Sequence, residues 1–113
     1  MPFIDSKVTV ALTPDKEESI KQKLGQAITT MGKTESFLMV GFEEEYSLYL
    51  GGKKLDKGAF VSVSALGQVQ PDQCDEMTGK ICKILEDELS IPAQNVYITY
   101  QGFANWGWNG RNL

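Results

Sequence analysis

The 113-residue chain contains no histidine. This absence removes the commonest general base and the commonest metal ligand, together with every scheme that pairs histidine with a serine or cysteine nucleophile. Acid–base chemistry in this chain has to use carboxylates, lysine, tyrosine or a terminal amine.

Cysteine is scarce as well, since Cys74 and Cys82 are the only two. They lie eight residues apart in a predicted helix, where a rise of 1.5 Å per residue separates their Cα atoms by about 12 Å, beyond the span of a disulfide. Two thiols without histidine also make a poor zinc site. We therefore expect no internal disulfide, as is usual in a reducing compartment, and no metal.

Basic clusters and long apolar runs are missing too. A net charge of −4 without a basic patch argues against a nucleic-acid partner. No apolar run approaches the length of a membrane span, and Asp5, Lys7 and Asp15 interrupt any signal-peptide core. We expect a cytoplasmic protein with no membrane partner; if it is secreted, it leaves by a non-classical route.

The first half of the chain predicts a strand, a helix and a second strand. Alternation in PFIDSKVTV is typical of a strand. In the helix, Thr13 is suited to the N-cap position, Pro14 to the first turn, and Gly32 to the position that ends the helix. Apolar residues recur at spacings of three and four between them, as in an amphipathic helix. The second strand, FLMVGFE, is almost continuously apolar, so we expect both of its faces to be covered.

After a short extra strand in YSLYLGG, the second half repeats the order. AFVSVSALG predicts a strand, PDQCDEMTGKICKILEDELS a helix and NVYITY a last strand. We therefore predict one domain (1–113) with pseudo-repeats at about 2–50 and 59–105. The fold class is α+β, an α/β sandwich in which a four-stranded mixed sheet carries two helices on one face. Apolar residues on the other face predict cover by further copies in a homo-oligomer.

Pro2 raises the first question of chemistry. Removal of Met1 would leave it with a free secondary amine, which can act as a base. Alternatively, Pro2 simply begins a strand, where no ladder donor is needed. Lys33 also has a simple structural interpretation, as a cation that compensates the partial negative charge at the C-terminal end of the first helix.

The last strand and the tail hold the remaining candidates. Tyr97 and Thr99 share one face of the strand, where tyrosine most often serves packing. Trp106 and Trp108 flank a glycine near the end of the sequence. Paired indoles can anchor a loop or an interface, or wall the pocket of an aromatic ligand.

Together these features form a specific set in a fixed order. The set comprises Pro2, the Gly32-Lys33 pair, the GG turn before the strand that ends in SALG, the VYITY strand and the NWGWNG tail. In order and spacing the whole chain resembles the macrophage migration inhibitory factor (MIF) family of the tautomerase superfamily. The resemblance implies the tautomerase/MIF fold and a homotrimer whose sheets line a central channel, with three active sites at subunit interfaces.

The resemblance also implies roles for individual residues. Pro2 matches the family's catalytic base, and Lys33 matches a lysine near the substrate carboxylate. Leu66 matches a residue whose backbone contacts the substrate. Tyr97 matches a tyrosine supplied by the neighbouring subunit.

Four further positions fall around the same pocket in the family. Trp106 and Trp108 match the tail that lines the aromatic pocket, and Phe3 packs beside the proline. Thr99 stands where the family frequently has asparagine, so a hydroxyl replaces an amide contact to ligand.

Other departures bear on function. The CxxC of the vertebrate cytokines is replaced by residues 58–61, so their proposed thiol-oxidoreductase activity is not inherited. Ser64 replaces a histidine, Leu113 stands near their terminal phenylalanine, and Trp106 is bulkier than the aliphatic residue common there, which narrows the pocket mouth.

The resemblance implies a keto–enol tautomerase that acts on aromatic 2-oxo acids such as phenylpyruvate, and on dopachrome-like esters as a second class. It needs no cofactor, but it requires removal of Met1, since an acylated Pro2 has no basic lone pair. The alternative is a secreted, cytokine-like ligand of cell-surface receptors with an ancestral pocket. A third interpretation is a structural trimer without a ligand.

Overall fold

The structure is a computed structural model that describes residues 1–113. Its elements are β1 (Pro2–Val8), α1 (Pro14–Ala27), β2 (Met39–Glu43), β3 (Tyr49–Leu50), β4 (Lys53–Lys54), β5 (Ala59–Leu66), α2 (Pro71–Leu89), β6 (Val96–Phe103), β7 (Gly107–Trp108) and β8 (Arg111–Asn112). Short 3₁₀ turns lie at Ile28–Met31, Glu35–Phe37 and Ala93–Asn95.

The main sheet has four strands in the order β2-β1-β5-β6. Strand β1 runs parallel to β2, β5 runs parallel to β6, and the central pair β1 and β5 is antiparallel. Each half of the chain thus contributes a strand, a helix and a parallel strand. The predicted mixed sheet of four strands is confirmed.

Both helices cover the same face of this sheet. Buried and partly exposed residues alternate along β1 and β5, and the buried set forms one core with the apolar stripes of α1 and α2. Representative members are Ile4, Val61, Leu24 and Ile81. This confirms the predicted helical layer on one face. Neither helix is long and apolar enough to cross a membrane.

The start of α1 follows the sequence signals closely. The Thr13 hydroxyl accepts a hydrogen bond from the backbone N–H of Lys16 at 3.2 Å, which satisfies one of the free donors of the first turn. The α-helix ends at Ala27, and a 3₁₀ turn continues to Met31. Gly32 then adopts a left-handed φ of 71°, as expected of a helix-ending glycine.

Two expectations require correction. Strand β1 ends at Val8, so Val10 lies outside the strand; its carbonyl accepts a hydrogen bond from the N–H of Glu45 instead. Strand β2 is an edge strand, and 68% of the surface of Met39 is exposed. Met39 pairs with Phe3 and so lies on the sheet face away from the helices, and that face of β2 is not covered within one chain.

The sheet face away from the helices is of mixed character. On β6 it presents Tyr97, Thr99, Gln101 and Phe103, all exposed, while the alternate residues face the helices. The aromatic residues of this face lie towards its two ends, with hydroxyl and amide side chains between them.

Candidate active site

Pro2 lies at one end of the central strand pair. It is the first residue of β1, is fully buried, and is paired in register with Ala65 of β5. The pairing extends one residue further, because the carbonyl of Met1 accepts a hydrogen bond from the N–H of Leu66 at 3.1 Å. The sheet therefore holds the nitrogen of Pro2 in a defined place.

A cavity of about 730 Å³ opens at this end of the sheet. Its walls come from residues 1–3, residues 36–39, Ser64, Phe103 and residues 105–108. No aspartate or glutamate lines it. The cavity therefore brings together four of the candidate residues, Pro2, Phe3, Trp106 and Trp108, in a mainly apolar environment.

Aromatic pairs form two sides of the cavity. The rings of Phe37 and Trp108 meet edge to face with centroids 5.8 Å apart, and those of Phe103 and Trp106 do so at 6.1 Å. Such contacts hold rings in place by about 1 kcal/mol beyond the area they bury. The walls are therefore suited to an aromatic or flat unsaturated ligand.

Sequence reasoning missed Phe37, Met39 and Phe103. A signal for Met39 existed in the predicted strand–helix–strand order, since a helical crossover joins parallel strands, and the parallel register sets Met39 beside Phe3. Phe37 lies just before that strand and Phe103 at the end of β6. Both positions follow from the sheet order and register, which place them at the same end of the sheet as the start of β1.

Lys33 and Leu66 lie beside the N-terminus without lining the cavity. The ammonium of Lys33 donates a hydrogen bond to the carbonyl of Leu66 at 3.1 Å. Burial lowers the pKa of the Met1 α-amino group from its ordinary value, and the positive charge of Lys33 lowers it further. The site therefore favours an uncharged terminal amine beside a fixed cation.

Tyr97 and Thr99 lie elsewhere in the protomer. Tyr97 is paired with Phe60, whereas Pro2 is paired with Ala65, and at about 3.3 Å per residue these positions lie about 17 Å apart along β5. Thr99 is also too far along the strand to line the cavity. Neither residue meets Pro2 within one chain.

Tyr97 instead borders a second, smaller cavity of about 290 Å³ at the far end of the sheet. Apolar residues dominate its walls, among them Leu50 and Phe60. No group of three or more His, Cys, Asp or Glu side chains in the chain is arranged to hold a metal ion.

Comparisons with known proteins agree with this geometry. The family model described as macrophage migration inhibitory factor (MIF) matches residues 1–113. The macrophage migration inhibitory factor of Xenopus laevis is 27% identical over 112 residues, which cover 97% of this chain and 96% of the relative. The macrophage migration inhibitory factor of Rattus norvegicus is 29% identical over 113 residues, which cover 97% of this chain and 95% of the relative.

Among solved structures, MIF2 of Leishmania major superposes with a TM-score of 0.94 at 30% identity. The superposition covers 100% of this chain and 97% of that one. The family match extends over the full length, and the sheet order, the helix placement and the buried proline agree with it. The chain therefore belongs to the macrophage migration inhibitory factor family.

Proposed function

We propose that the protein is a keto–enol tautomerase in which the secondary amine of Pro2, freed by removal of Met1, is the general base. The observation that carries the proposal is the burial of Pro2 at the wall of an aromatic cavity, with Lys33 close by. Family membership supports the same assignment.

The protonation state of the amine follows from its surroundings. A free α-amino group has an ordinary pKa of about 8. Burial and the charge of Lys33 already lower the pKa of the Met1 amine. Pro2 directly follows Met1 and is buried in the full chain, so we expect the same two causes to act on its amine once Met1 is gone. A neutral amine at pH 7 is the form a general base requires.

The reaction is a balanced proton transfer. The lone pair of Pro2 takes a proton from the carbon next to the ketone, and the C–H electron pair becomes the C=C bond of the enol. The electrons of the C=O bond move onto oxygen, which receives a proton from the protonated amine or from water. The reverse sequence returns the ketone, and no electrons leave the substrate.

Aromatic 2-oxo acids are the substrates we infer, with phenylpyruvate as the test case and dopachrome esters as a second class. The cavity surrounds an aromatic ring with Phe37, Phe103 and the two tail indoles. Lys33 supplies a cation for the carboxylate, while the lining holds no carboxylate to repel it. Phe3 completes the apolar wall beside Pro2.

We further propose that the working unit is a homotrimer of single-domain chains, each built from the halves 2–50 and 59–105. Tyr97 is 62% exposed and lies about 17 Å along β5 from the position of Pro2. Tyr97 and Thr99 could therefore act on the substrate only from an adjoining copy. The exposed edge of β2 and the second cavity provide surfaces for such a contact.

A second function, as a secreted cytokine-like ligand of cell-surface receptors, is supported by the relatives, whose names describe inhibition of macrophage migration. The two functions are compatible. A pocket-directed inhibitor that stops turnover but leaves receptor binding intact would separate them. In either case we propose a cytoplasmic pool, and for the second function we propose export as well.

The decisive test is phenylpyruvate tautomerisation by protein whose intact mass shows that Met1 has been removed. We expect turnover that the Pro2→Gly variant lowers by about two to four orders of magnitude, the range that general bases contribute. Size-exclusion chromatography should show the same assembly for both proteins. Equal turnover by the variant would remove Pro2 from the mechanism.

A further inference from the structure

Arg111 is the only arginine of the chain, and the proposed mechanism does not use it. It lies in β8 and is exposed to solvent. All six ion pairs of the protomer are made by lysines, so the guanidinium of Arg111 is free of carboxylate partners despite the net charge of −4.

The C-terminal hairpin places Arg111 beside the cavity. Trp108 and Arg111 are register partners in the antiparallel pair β7–β8. Side chains of directly opposed residues leave the same face with Cβ atoms about 5 Å apart. Because Trp108 lines the cavity, Arg111 emerges on the side of the hairpin that faces the cavity rim.

The hairpin is well fixed for such a role. Its two-residue turn, Asn109-Gly110, has φ angles of 53° and 82°, the left-handed pair that suits the twist of a tight hairpin. The N–H of Leu113 donates to the carbonyl of Trp106 at 2.9 Å, which ties the end of the hairpin to a second cavity-lining residue. Trp108 is also held by its edge contact with Phe37.

The charges along the site then form a simple pattern. Lys33 lies beside the N-terminal amine, just outside the lining, and is held there by the carbonyl of Leu66. Arg111 lies outside the lining but beside it, as the register partner of the lining residue Trp108, and no carboxylate lines the cavity. A ligand that spans such a site would gain from an anionic group at each end. Guanidinium adds a planar fork that can bind a carboxylate through two hydrogen bonds, which an ammonium cannot do.

We propose that Arg111 is a specificity-determining residue that binds a second carboxylate, carried on the distal end of an aromatic 2-oxo acid. This inference rests on the proposed tautomerase function, because the inner carboxylate and the reacting carbon are placed by that function. The favoured substrate class is thus a 2-oxo dicarboxylate with an aromatic spacer, rather than the unsubstituted phenylpyruvate.

The test compares kcat/KM for (4-carboxyphenyl)pyruvate and phenylpyruvate with protein that lacks Met1. We expect the native protein to prefer the dicarboxylate by about tenfold at low salt, equivalent to one well-placed charged hydrogen-bond pair. Arg111→Gln should bring the ratio of the two constants close to one, and Arg111→Lys should leave an intermediate ratio. Added salt should lower the native ratio, because the rim is exposed.

Lys83→Gln is the matched control, since it removes one positive charge from an exposed site on α2. It should leave the ratio unchanged. A native ratio near one, or the same ratio in native protein and Arg111→Gln, would overturn the proposal. So would an Arg111→Gln variant that dissociates into smaller species, because Arg111 would then serve the contact between copies.

The two proposals fail in different ways. If neither substrate turns over, the tautomerase function fails. Calorimetric binding of 4-carboxycinnamate (two carboxylates) and cinnamate (one carboxylate), which match the two substrates in charge but undergo no tautomerisation, then still tests Arg111. Equal affinities for these two ligands would overturn the role of Arg111 whatever the enzyme does.

Discussion

The side-chain ammonium of Lys33 donates a hydrogen bond to the backbone carbonyl of Leu66 at 3.1 Å. This contact joins the turn after α1 to the end of β5, two elements 33 residues apart in sequence. It holds the lysine beside the N-terminus before any ligand binds. A preplaced cation loses less conformational freedom on binding an anion than a mobile one.

Lys33→Met should therefore raise KM for phenylpyruvate by about tenfold or more, the worth of one charge-assisted hydrogen bond. It should also raise the pKa of the terminal amine, because Lys33 lowers that pKa in the native chain. The pH profile of kcat/KM reports both effects. Lys80→Met is the control, since Lys80 contacts Thr30 on the helical layer; similar changes in that variant would contradict a local role for Lys33.

The pH dependence of the native enzyme has a definite sign. Only the neutral amine is a base, so kcat/KM should be low in acid and rise through the pKa of Pro2. Burial and the charge of Lys33 lower the pKa of the Met1 amine, and we expect them to place the midpoint of the Pro2 amine below the ordinary value of about 8 as well. An NMR titration of ¹⁵N-labelled proline should give the same midpoint as the kinetics. A midpoint above 8 would contradict the catalytic assignment.

Gly102 packs directly on the backbone of the turn after β5. A Cβ built at this position would collide with the carbonyl oxygen of Gly67, and the N–H of Gly67 is bonded to Phe103 at 2.8 Å. Gly102→Ala should therefore lower the free energy of unfolding by about 1–3 kcal/mol, as overpacking does. Because Leu66 adjoins this turn, KM should rise as well.

A second glycine provides the control for that experiment. Gly79 lies in the interior of α2, and a Cβ there would meet nothing within 4 Å. Gly79→Ala should raise the free energy of unfolding by up to about 1 kcal/mol, because alanine favours the helix. Thermal or urea unfolding measures both changes. Destabilisation of equal size in the two variants would show that the contact at Gly102 is unimportant.

Glu88 links the two helices. Its carboxylate accepts hydrogen bonds from Lys23 at 2.7 Å and Ser19 at 2.9 Å, and lies 3.5 Å from Lys16. The bonds from Lys23 and Ser19 lower the pKa of Glu88 below its ordinary value. The stabilisation is therefore fully present above the ordinary range of a glutamate and is lost as the pH falls through the lowered pKa.

Glu88→Gln should lower the free energy of unfolding by about 1 kcal/mol at pH 7, and the difference should shrink in acid. Urea unfolding at several pH values measures this trend. Asp87→Asn is the matched control, because its partner Lys83 is largely exposed and the pair contributes little. A difference that does not change with pH would contradict the role given to the charge of Glu88.

Sequence patterns predicted most of the fold because the signals were local. Thr13, Pro14 and Gly32 mark the limits of the first helix, and alternation marks β1 and β5. The expectation that both faces of β2 are covered fails for a single chain, because an apolar run does not reveal which layers pack against a strand. Only the strand order shows that β2 lies at the edge.

The candidate site was predictable to a different extent at each position. Pro2 and the two tail indoles meet in one cavity, but no local pattern of theirs shows this; the resemblance to a family did. The position of Phe37 beside the cavity depends on the parallel register of β1 and β2, which the sequence indicates only indirectly. Tyr97 and Pro2 lie apart because they pair with positions five residues apart on β5, and no sequence pattern reveals that register.

One hydrogen bond at the start of the chain would be lost if Met1 were removed. The amide N–H of Leu66 is satisfied by the carbonyl oxygen of Met1. Cleaving off that first residue takes the acceptor away at the same moment as it creates the proline lone pair. In the proposed mechanism a single proteolytic cut would thus uncover a proton acceptor and, one strand across, an unsatisfied hydrogen-bond donor for the enolate oxygen.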